Sequence, residues 1–479
     1  MFENLRFSGK RPIYLQIKDY IKKMILTGLL QPGVKLPSTR ELAEMLKVSR
    51  NSVISAYQYL EDDGFILLEK GRGAFVSFTE VKPEAGLVLT WEKLVTDYAR
   101  LAAELDIEKK ELKWEKGMIS FKSIAPDPSL FGVEDFKRSF LQRFSLEGAK
   151  LLNYGYAKGY KQLMEYIMEY MKNKGLNPAG KDIIITNGFT EGFNLVLSAL
   201  LHRGDRIVCE NPTHNTAIKI MNLAGLRICG VEMREDGICV EELKKLLAGG
   251  GIKAGFLIPS YHNPTGLVMS PEKRVEILKI FTDYQVPIIE DGFNEELRFS
   301  GSHVAPLIAL AGKGNGVVYI GSFSKILFPG LRIGWVIGDA KLISYLESVK
   351  RSANIHTSFP DQAILYEYLQ NGYFERYLKK ARKVYKERHD RAVHLARQYI
   401  PATRIWGEGG LHIFVELAGV NARLLLRECY KRNVLYMPGD IFYTNGGGEN
   451  AFRLGISRVN LEQIETGIKI IGEVIQSLQ

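Results

Sequence analysis

The sequence predicts a multi-domain protein, with a small helical head closed by two short strands and then a large α/β domain on a mainly parallel sheet. Three observations carry this. At 479 residues the chain exceeds one ordinary domain. Residues 12–78 hold short helical patterns ending in a glycine-punctuated pair of strand-like runs. From about residue 117 onward, apolar runs (DIIIT, DRIVCE, KAGFLIP, VPIIED, GVVYIGS) alternate with helical patterns, the arrangement that builds parallel sheets. The expected boundaries are a head over residues 1–78, a charged and partly helical linker over 79–116, and the large domain over 117–479.

The head is legible almost residue by residue. In LPSTRELAEMLKVSRNSVISAYQYLEDDGFILLEKGRGAFV, Ser38 followed by Glu41 forms a capping-box pattern that starts a helix, with Leu42, Met45 and Leu46 as its apolar face. After a turn at Lys47 and Val48, Ser49 caps a second helix. Val53, Ala56, Tyr57 and Leu60 face inward there, while Arg50, Asn51 and Gln58 face out. Two such helices form a helix-turn-helix. The runs Phe65–Glu69 and Ala74–Phe78 flank KGRG, a hairpin tip whose glycines allow close approach to a phosphate backbone. The unit reads as a winged helix.

This segment resembles the winged helix-turn-helix of the GntR family of bacterial transcription regulators. The resemblance implies double-stranded operator DNA as a partner, touched by Arg40, Ser49, Arg50 and Asn51 from the helices and by Lys70 and Gly71 from the wing. Ile54 stands where some relatives have an arginine, which alters base preference at that position.

In the large domain, TNGFTEG (186–192), ENPTHN (210–215), YHNPTG (261–266), EDGFNEEL (290–297) and GSFSKILFPGLRIGW (321–335) each follow an expected strand. They therefore gather at the C-terminal edge of the sheet, where open α/β folds bind ligands. Their groups suit pyridoxal 5'-phosphate. Lys325 is the amine for a Schiff base, Asp291 the partner for the pyridinium nitrogen, and Asn263 a donor to the ring oxygen. The helix start at Gly188, Phe189 and Thr190, with Ser322, Ser324 and Arg332, offers the phosphate amides, hydroxyls and a cation.

Together these motifs resemble aspartate-aminotransferase-like proteins of fold type I over roughly residues 118–475. The resemblance implies a smaller C-terminal α+β part, Arg453 as the grip on a substrate or effector carboxylate, and Tyr154 lent to the phosphate of a partner subunit, with Tyr156 as the neighbouring alternative. There are two departures. Phe293 replaces a tyrosine that usually reaches the ring oxygen, and His214 replaces a tyrosine stacked on the ring. His412 reads as packed core.

Composition agrees with a soluble protein. Hydrophobic residues make up 46% and charged residues 25% of the chain, and no uncharged apolar stretch of about 18 residues occurs. The N-terminus lacks an apolar leader. A cytoplasmic location with no membrane partner is expected. The cysteines Cys209, Cys229, Cys239 and Cys429 form no CxxC pair and the histidines no HExxH, so neither disulfides nor a metal are expected. The net charge of +10 is not piled at one end, and a solvated surface explains it as well as nucleic acid does. A GntR-like head joined to an aminotransferase-like body is the plan of the MocR subfamily. That resemblance implies a homodimeric, pyridoxal-phosphate-dependent regulator that senses the cofactor or a small amine or amino acid. The alternatives are a catalytically active aminotransferase with an accessory DNA-binding domain, and a body that serves only as a scaffold.

Overall fold

Residues 2, 5–9, 11–77, 89–299 and 303–478 are described in the computed structural model. They divide into two compact units, Met1–Leu94 and Val95–Gln479.

In the first unit, helix α1 (Ile13–Leu26) buries Ile17, Ile21, Met24 and Ile25, spaced three and four apart on one face. Helix α2 (Thr39–Leu46) starts on a complete capping box. Ser38 Oγ accepts from the Glu41 amide at 3.2 Å, and the Glu41 carboxylate accepts from the Ser38 amide at 2.8 Å. Lys47 ends the helix in the left-handed region at φ 53°. Helix α3 (Arg50–Asp62) starts on Ser49, whose Oγ accepts from the Ser52 amide, and buries Val53, Ala56, Tyr57 and Leu60 as expected. Met45 departs from expectation, being 51% exposed. The buried stripe of α2 is Leu42, Ala43 and Leu46, and Met45 lies roughly 100° around the helix from its centre. Strands β1 (Ile66–Glu69) and β2 (Gly73–Val76) pair antiparallel to form the wing. Its second strand stops earlier than the sequence suggested, at Val76, and Phe78 lies outside the described residues.

Residues 79–88 of the expected linker also lie outside the described residues. Beyond them come three short helices, α4 (Trp91–Leu94), α5 (Asp97–Glu104) and α6 (Ile107–Lys110). The chain from Val95 onward clusters with the body.

The body is built on an eight-stranded sheet. Its order runs Lys181–Thr186, Gly334–Asp339, Val317–Ser322, Ile288–Asp291, Ile252–Leu257, Arg206–Asn211, Arg227–Arg234 and Gly237–Ile238. Pairing is parallel from Val317–Ser322 across to Arg227–Arg234, while Gly334–Asp339 runs against both its neighbours. Helices cover both faces, so Ile183–Ile185, Ile288–Ile289 and Val317–Ile320 are buried consecutively rather than alternately. A smaller four-stranded antiparallel sheet follows, in the order Ala402–Trp406, His412–Leu417, Ala451–Gly455 and Met437–Pro438, with a core of its own. The four cysteines are free. Among the described residues no helix is long and apolar enough to cross a membrane.

Removing the cap hydroxyl leaves an α2 amide without its partner, so Ser38→Ala should destabilise the head by about 1 kcal/mol. Native-state hydrogen exchange of α2 and α3 measures this, with amides of the large sheet as the unchanged reference.

Candidate cofactor site and DNA-binding surface

The site is assembled where strands end. Val317–Ser322 runs into a short 3-10 turn, Phe323–Lys325, tied by the Ser324 amide donating to Ser322 Oγ at 3.2 Å. The turn brings Lys325 back toward the neighbouring strand, where Asp291 stands opposite Ile320. Lys325 is half-buried, and its pKa is pushed down to about 8 by burial first, then by the charges of Arg453, Arg332 and Arg458, with Asp291 opposing. The Asp291 carboxyl is held well above its ordinary value, chiefly by burial and then by Glu210, Glu295 and Glu290. Among the described residues no side chain or amide donates to it. A buried carboxylate with no donor calls for a cation, and a protonated ring nitrogen is one.

The anion cradle lies at the start of the helix Gly188–Leu200. Gly188 sits at φ +76°, and a Cβ there would come within 2.8 Å of Arg332 Nη2. Arg332 is aimed by its Nη1 donating to Ser324 Oγ at 3.0 Å and its Nη2 donating to the Asn187 carbonyl at 3.2 Å. Phe189, Thr190, Asp291, Ser322, Ser324 and Arg332 bound a cavity of about 190 Å³, and Phe293 also lines it.

Asn263 is buried, with Oδ1 accepting from Arg453 Nη1 at 2.8 Å and Nδ2 left without a partner. Arg453, in the strand Ala451–Gly455, is also buried; Nη2 donates to the Lys122 carbonyl at 3.2 Å and Nε has no partner. No carboxylate pairs with it among the described residues, and burial pushes its pKa down to about 9. His214 is driven to about 3 by burial first and then by the charges of Lys325 and Arg453, so its ring is neutral. That ring lies 5.3 Å from Phe189, centroid to centroid, and its Nδ1 is unpartnered. A second cavity, about 700 Å³, opens from the same place and shares Lys325, His214 and Thr216 with the first. His412 is fully buried, its Nε2 against the His262 carbonyl at 3.2 Å.

Tyr154 and Tyr156 line neither cavity; they are 80% and 74% exposed. Pattern reading passed over Glu210 and His262, although both stand inside quoted motifs. Glu210 is fully buried, both oxygens accepting from the Ile258 amide at 3.1 and 3.0 Å, and His262 Nε2 lies 3.6 Å away. Their signal was a charged residue at the end of an apolar strand and a titratable residue beside Asn263, both within motifs already assigned to the site. The role of Glu210 appears only when the fold brings it near Asp291.

On the head, Arg40, Ser49, Arg50, Asn51, Lys70 and Gly71 are all exposed. Arg50 Nε lies 3.4 Å from Thr39 Oγ1, and the Ser49 hydroxyl is engaged by its cap and by Ser52 Oγ at 2.8 Å. Gly71 takes φ 82° at the wing tip, a conformation that side chains disfavour.

Residues 13–76 match the gntR family of bacterial regulatory proteins, and residues 126–471 match aminotransferase class I and II. Over its whole length the chain is similar to the uncharacterized HTH-type transcriptional regulator YisV of Bacillus subtilis, 32% identical across 98% of this chain and 96% of that one. The chain belongs to the MocR-type fusions of a GntR head and an aminotransferase body. The 2-aminoadipate transaminase of Thermus thermophilus is 30% identical across 81% of this chain and 98% of that one. The crystal structure of LysN, an α-aminoadipate aminotransferase from that species complexed with N-(5'-phosphopyridoxyl)-L-leucine, superposes with a TM-score of 0.75 at 29% identity, covering 81% of this chain and 99% of that one. The cofactor of this MocR-type body is pyridoxal 5'-phosphate, and the orphaned polar atoms and the Gly188 cradle fit it. When bound, it supplies an aldehyde carbon open to an amine and a ring that withdraws electrons.

An amine captures such a carbon only in its neutral form, and the Lys325 amine is the candidate. Cofactor uptake by the cofactor-free protein should therefore quicken with pH and level off above about 8. Arg453→Gln removes a positive neighbour and should move this inflection to higher pH. Stopped-flow absorbance across a pH series checks both.

Proposed function

We propose that this protein is a DNA-binding transcription regulator whose body holds pyridoxal phosphate on Lys325 and reports the arrival of an amine or amino acid to the head. The observation that carries this reading is the pair of cavities meeting at Lys325, one shaped for the cofactor and one ending at the unpaired guanidinium of Arg453. An amino acid entering the second cavity places its amine beside Lys325 and its carboxylate against Arg453, the charge partner that Arg453 lacks. Ligand-bound and ligand-free states then differ in contacts, as any effector requires.

In this reading Asp291 pairs with the ring nitrogen, Asn263 donates to the ring oxygen, His214 and Phe189 lie beside the ring, and Gly188, Thr190, Ser322, Ser324 and Arg332 hold the phosphate. Phe293 lines the cofactor cavity where a hydroxyl would donate, and it carries no donor. This favours binding over rapid turnover. The intact set of Lys325, Asp291 and Arg453 supports the rival reading, a working aminotransferase.

On the head, Arg40, Ser49, Arg50, Asn51, Lys70 and Gly71 form the DNA surface, reading a duplex from the cytoplasm. A homodimer supplies two such heads. It is supported by apolar side chains left exposed along Val133–Glu147 and beyond, including Val133, Leu141, Leu146 and Leu152, with Tyr154 reaching the phosphate of the second copy.

Duplexes selected from a random pool supply the DNA probe. Arg40→Ala and Arg50→Ala should each weaken binding by about 1–3 kcal/mol, with cofactor uptake unchanged, and added salt should weaken the parent steeply. Screening amino acids for cofactor absorbance change, keto-acid release and duplex affinity separates the two readings. Absorbance and affinity should move together without sustained keto acid. Many turnovers with unchanged DNA affinity would establish the enzyme instead.

A further inference from the structure

Phe293 has no donor to offer the cofactor, but the next residue has one. Asn294 bounds the same 190 Å³ cavity as Asp291 and Phe293. It is 2% exposed, and neither its Nδ2 nor its Oδ1 has a hydrogen-bond partner among the described residues. An amide shut away from water with both polar atoms idle is disfavoured unless something else completes it. Asn263, which suits the ring oxygen, is in a similar state, also buried and with its Nδ2 unpartnered.

The idle amide does not come from a loose turn. Asn294 takes φ 55°, a left-handed conformation that asparagine tolerates better than most residues. Its carbonyl accepts from the Leu297 amide at 2.9 Å, and just upstream the Gly292 amide donates to the Ile320 carbonyl at 2.9 Å. Just downstream, Lys174 Nζ donates to Glu295 Oε2 at 2.8 Å and to Glu296 Oε1 at 2.6 Å, while Arg382 Nε donates to the Glu296 carbonyl at 2.6 Å. The end of the cavity that the amide serves follows from its neighbours. A Cβ on Gly410 would lie 3.8 Å from Asn294 Nδ2 and 3.4 Å from Tyr261 Cβ. Tyr261 opens the YHNPTG turn that carries Asn263, whereas the anion cradle of Gly188, Ser324 and Arg332 is built from other elements. Asn294 therefore stands between the turn of Asp291 and the turn of Asn263. On the cofactor, the ring nitrogen and the ring oxygen share one side, and the phosphate arm leaves from the other.

We infer that Asn294 is a second donor to the cofactor's ring oxygen, supplying through an amide the hydrogen bond that Phe293 lacks. Because neither of its polar atoms is engaged, the side chain is free to turn its N–H₂ toward that oxygen. A phenol hydroxyl both donates to such an oxygen and exchanges a proton with it; an amide only donates. Two amides, from Asn263 and Asn294, thus fix the ring and leave its proton count alone, which suits a site that holds its ligand more than it turns it over. The inference rests on the cofactor assignment of the site and is independent of the sensor reading.

The test uses the full-length protein freed of cofactor and two probes that carry no aldehyde, pyridoxamine 5'-phosphate and its 3-deoxy analogue, which lacks the ring oxygen. Calorimetry gives the affinity for each. Asn294→Gly removes the amide and accepts the left-handed backbone without strain. It should weaken pyridoxamine phosphate about tenfold and leave the 3-deoxy analogue within about twofold. A residue that only supports the turn would weaken both probes alike. Equal weakening of the two, or no change in either, overturns the inference while the cofactor assignment stands. A second measurement needs no variant. In the parent protein with nitrogen-labelled asparagine side chains, two amide signals should move with pyridoxamine phosphate and stay in place with the 3-deoxy analogue, and a single such signal overturns the inference as well. If the parent binds neither probe, the cofactor assignment falls with it.

Discussion

Charge buried without a partner is the constraint on which this protein's body depends. Arg453 and Asp291 are both almost inaccessible, neither is neutralised by a side chain bonded to it, and a lone buried ion costs several kcal/mol after relaxation. Such groups stay in place only if the surrounding elements are too rigid to let them out. Arg453 sits mid-strand, with Phe414 opposite it on one side and Met437 on the other, and Asp291 ends a strand paired in parallel with Val317–Ser322. The sheet registers thus hold a guanidinium and a carboxyl, each short of a charge partner, facing space that a ligand carrying both signs fills well. Pyridoxal phosphate with an amino acid is such a ligand, bringing a ring cation, a phosphate and a carboxylate.

The same constraint explains the shifted ionisations. Lys325, Arg453 and His214 all lose basicity because burial penalises their cations, and Lys325 and His214 lose more because the charge of Arg453 lies nearby. The consequence is a poised amine and a histidine that contributes shape and polarity rather than charge. Close backbone approach completes the arrangement. Gly334 lies so near Gly188 that a Cβ on it would meet the Gly188 Cα at 2.8 Å, so the strand after the Lys325 loop can press against the start of the helix Gly188–Leu200.

Much of this was legible in the sequence because local rules act over short distances. The capping box at Ser38, the inward face of α3, and strands ending in Gly-, Asn- and Asp-bearing turns follow from spacing alone. Met45 was misread because a single extra apolar residue on a two-turn helix leaves the stripe's direction ambiguous until the packing partner is present. Tyr154 could be assigned only by resemblance, since nothing in the local sequence distinguishes it from Tyr156. Glu210 acts on Asp291 across three neighbouring strands, and the segment 105–114 lines the Lys325 cavity from more than two hundred residues away; periodicity carries no information about either. The charged composition of 79–116 suggested a partly helical linker, and Leu112, Ile107 and the buried Glu111 tie its later half to the body.

Head and body use cations in opposite ways, and this sets what each can report. On the head, Arg40, Arg50 and Lys70 are solvated, so engaging a phosphate exchanges water and counterions for the duplex, at a cost that salt controls. In the body, Arg453 is already stripped of water, and a carboxylate arriving there meets an undiluted field. Binding free energy is therefore concentrated at a few fixed atoms, one of which is hydrogen-bonded toward the connecting segment. A ligand shifts a conformational equilibrium only by its differential affinity for the two states. A site whose largest unmet interaction lies one side chain away from the chain's own connector is where such a difference can be generated without turnover. Phe293 is consistent with that use, because a site that mainly holds its ligand has less need of the donor that tunes proton position during repeated chemistry.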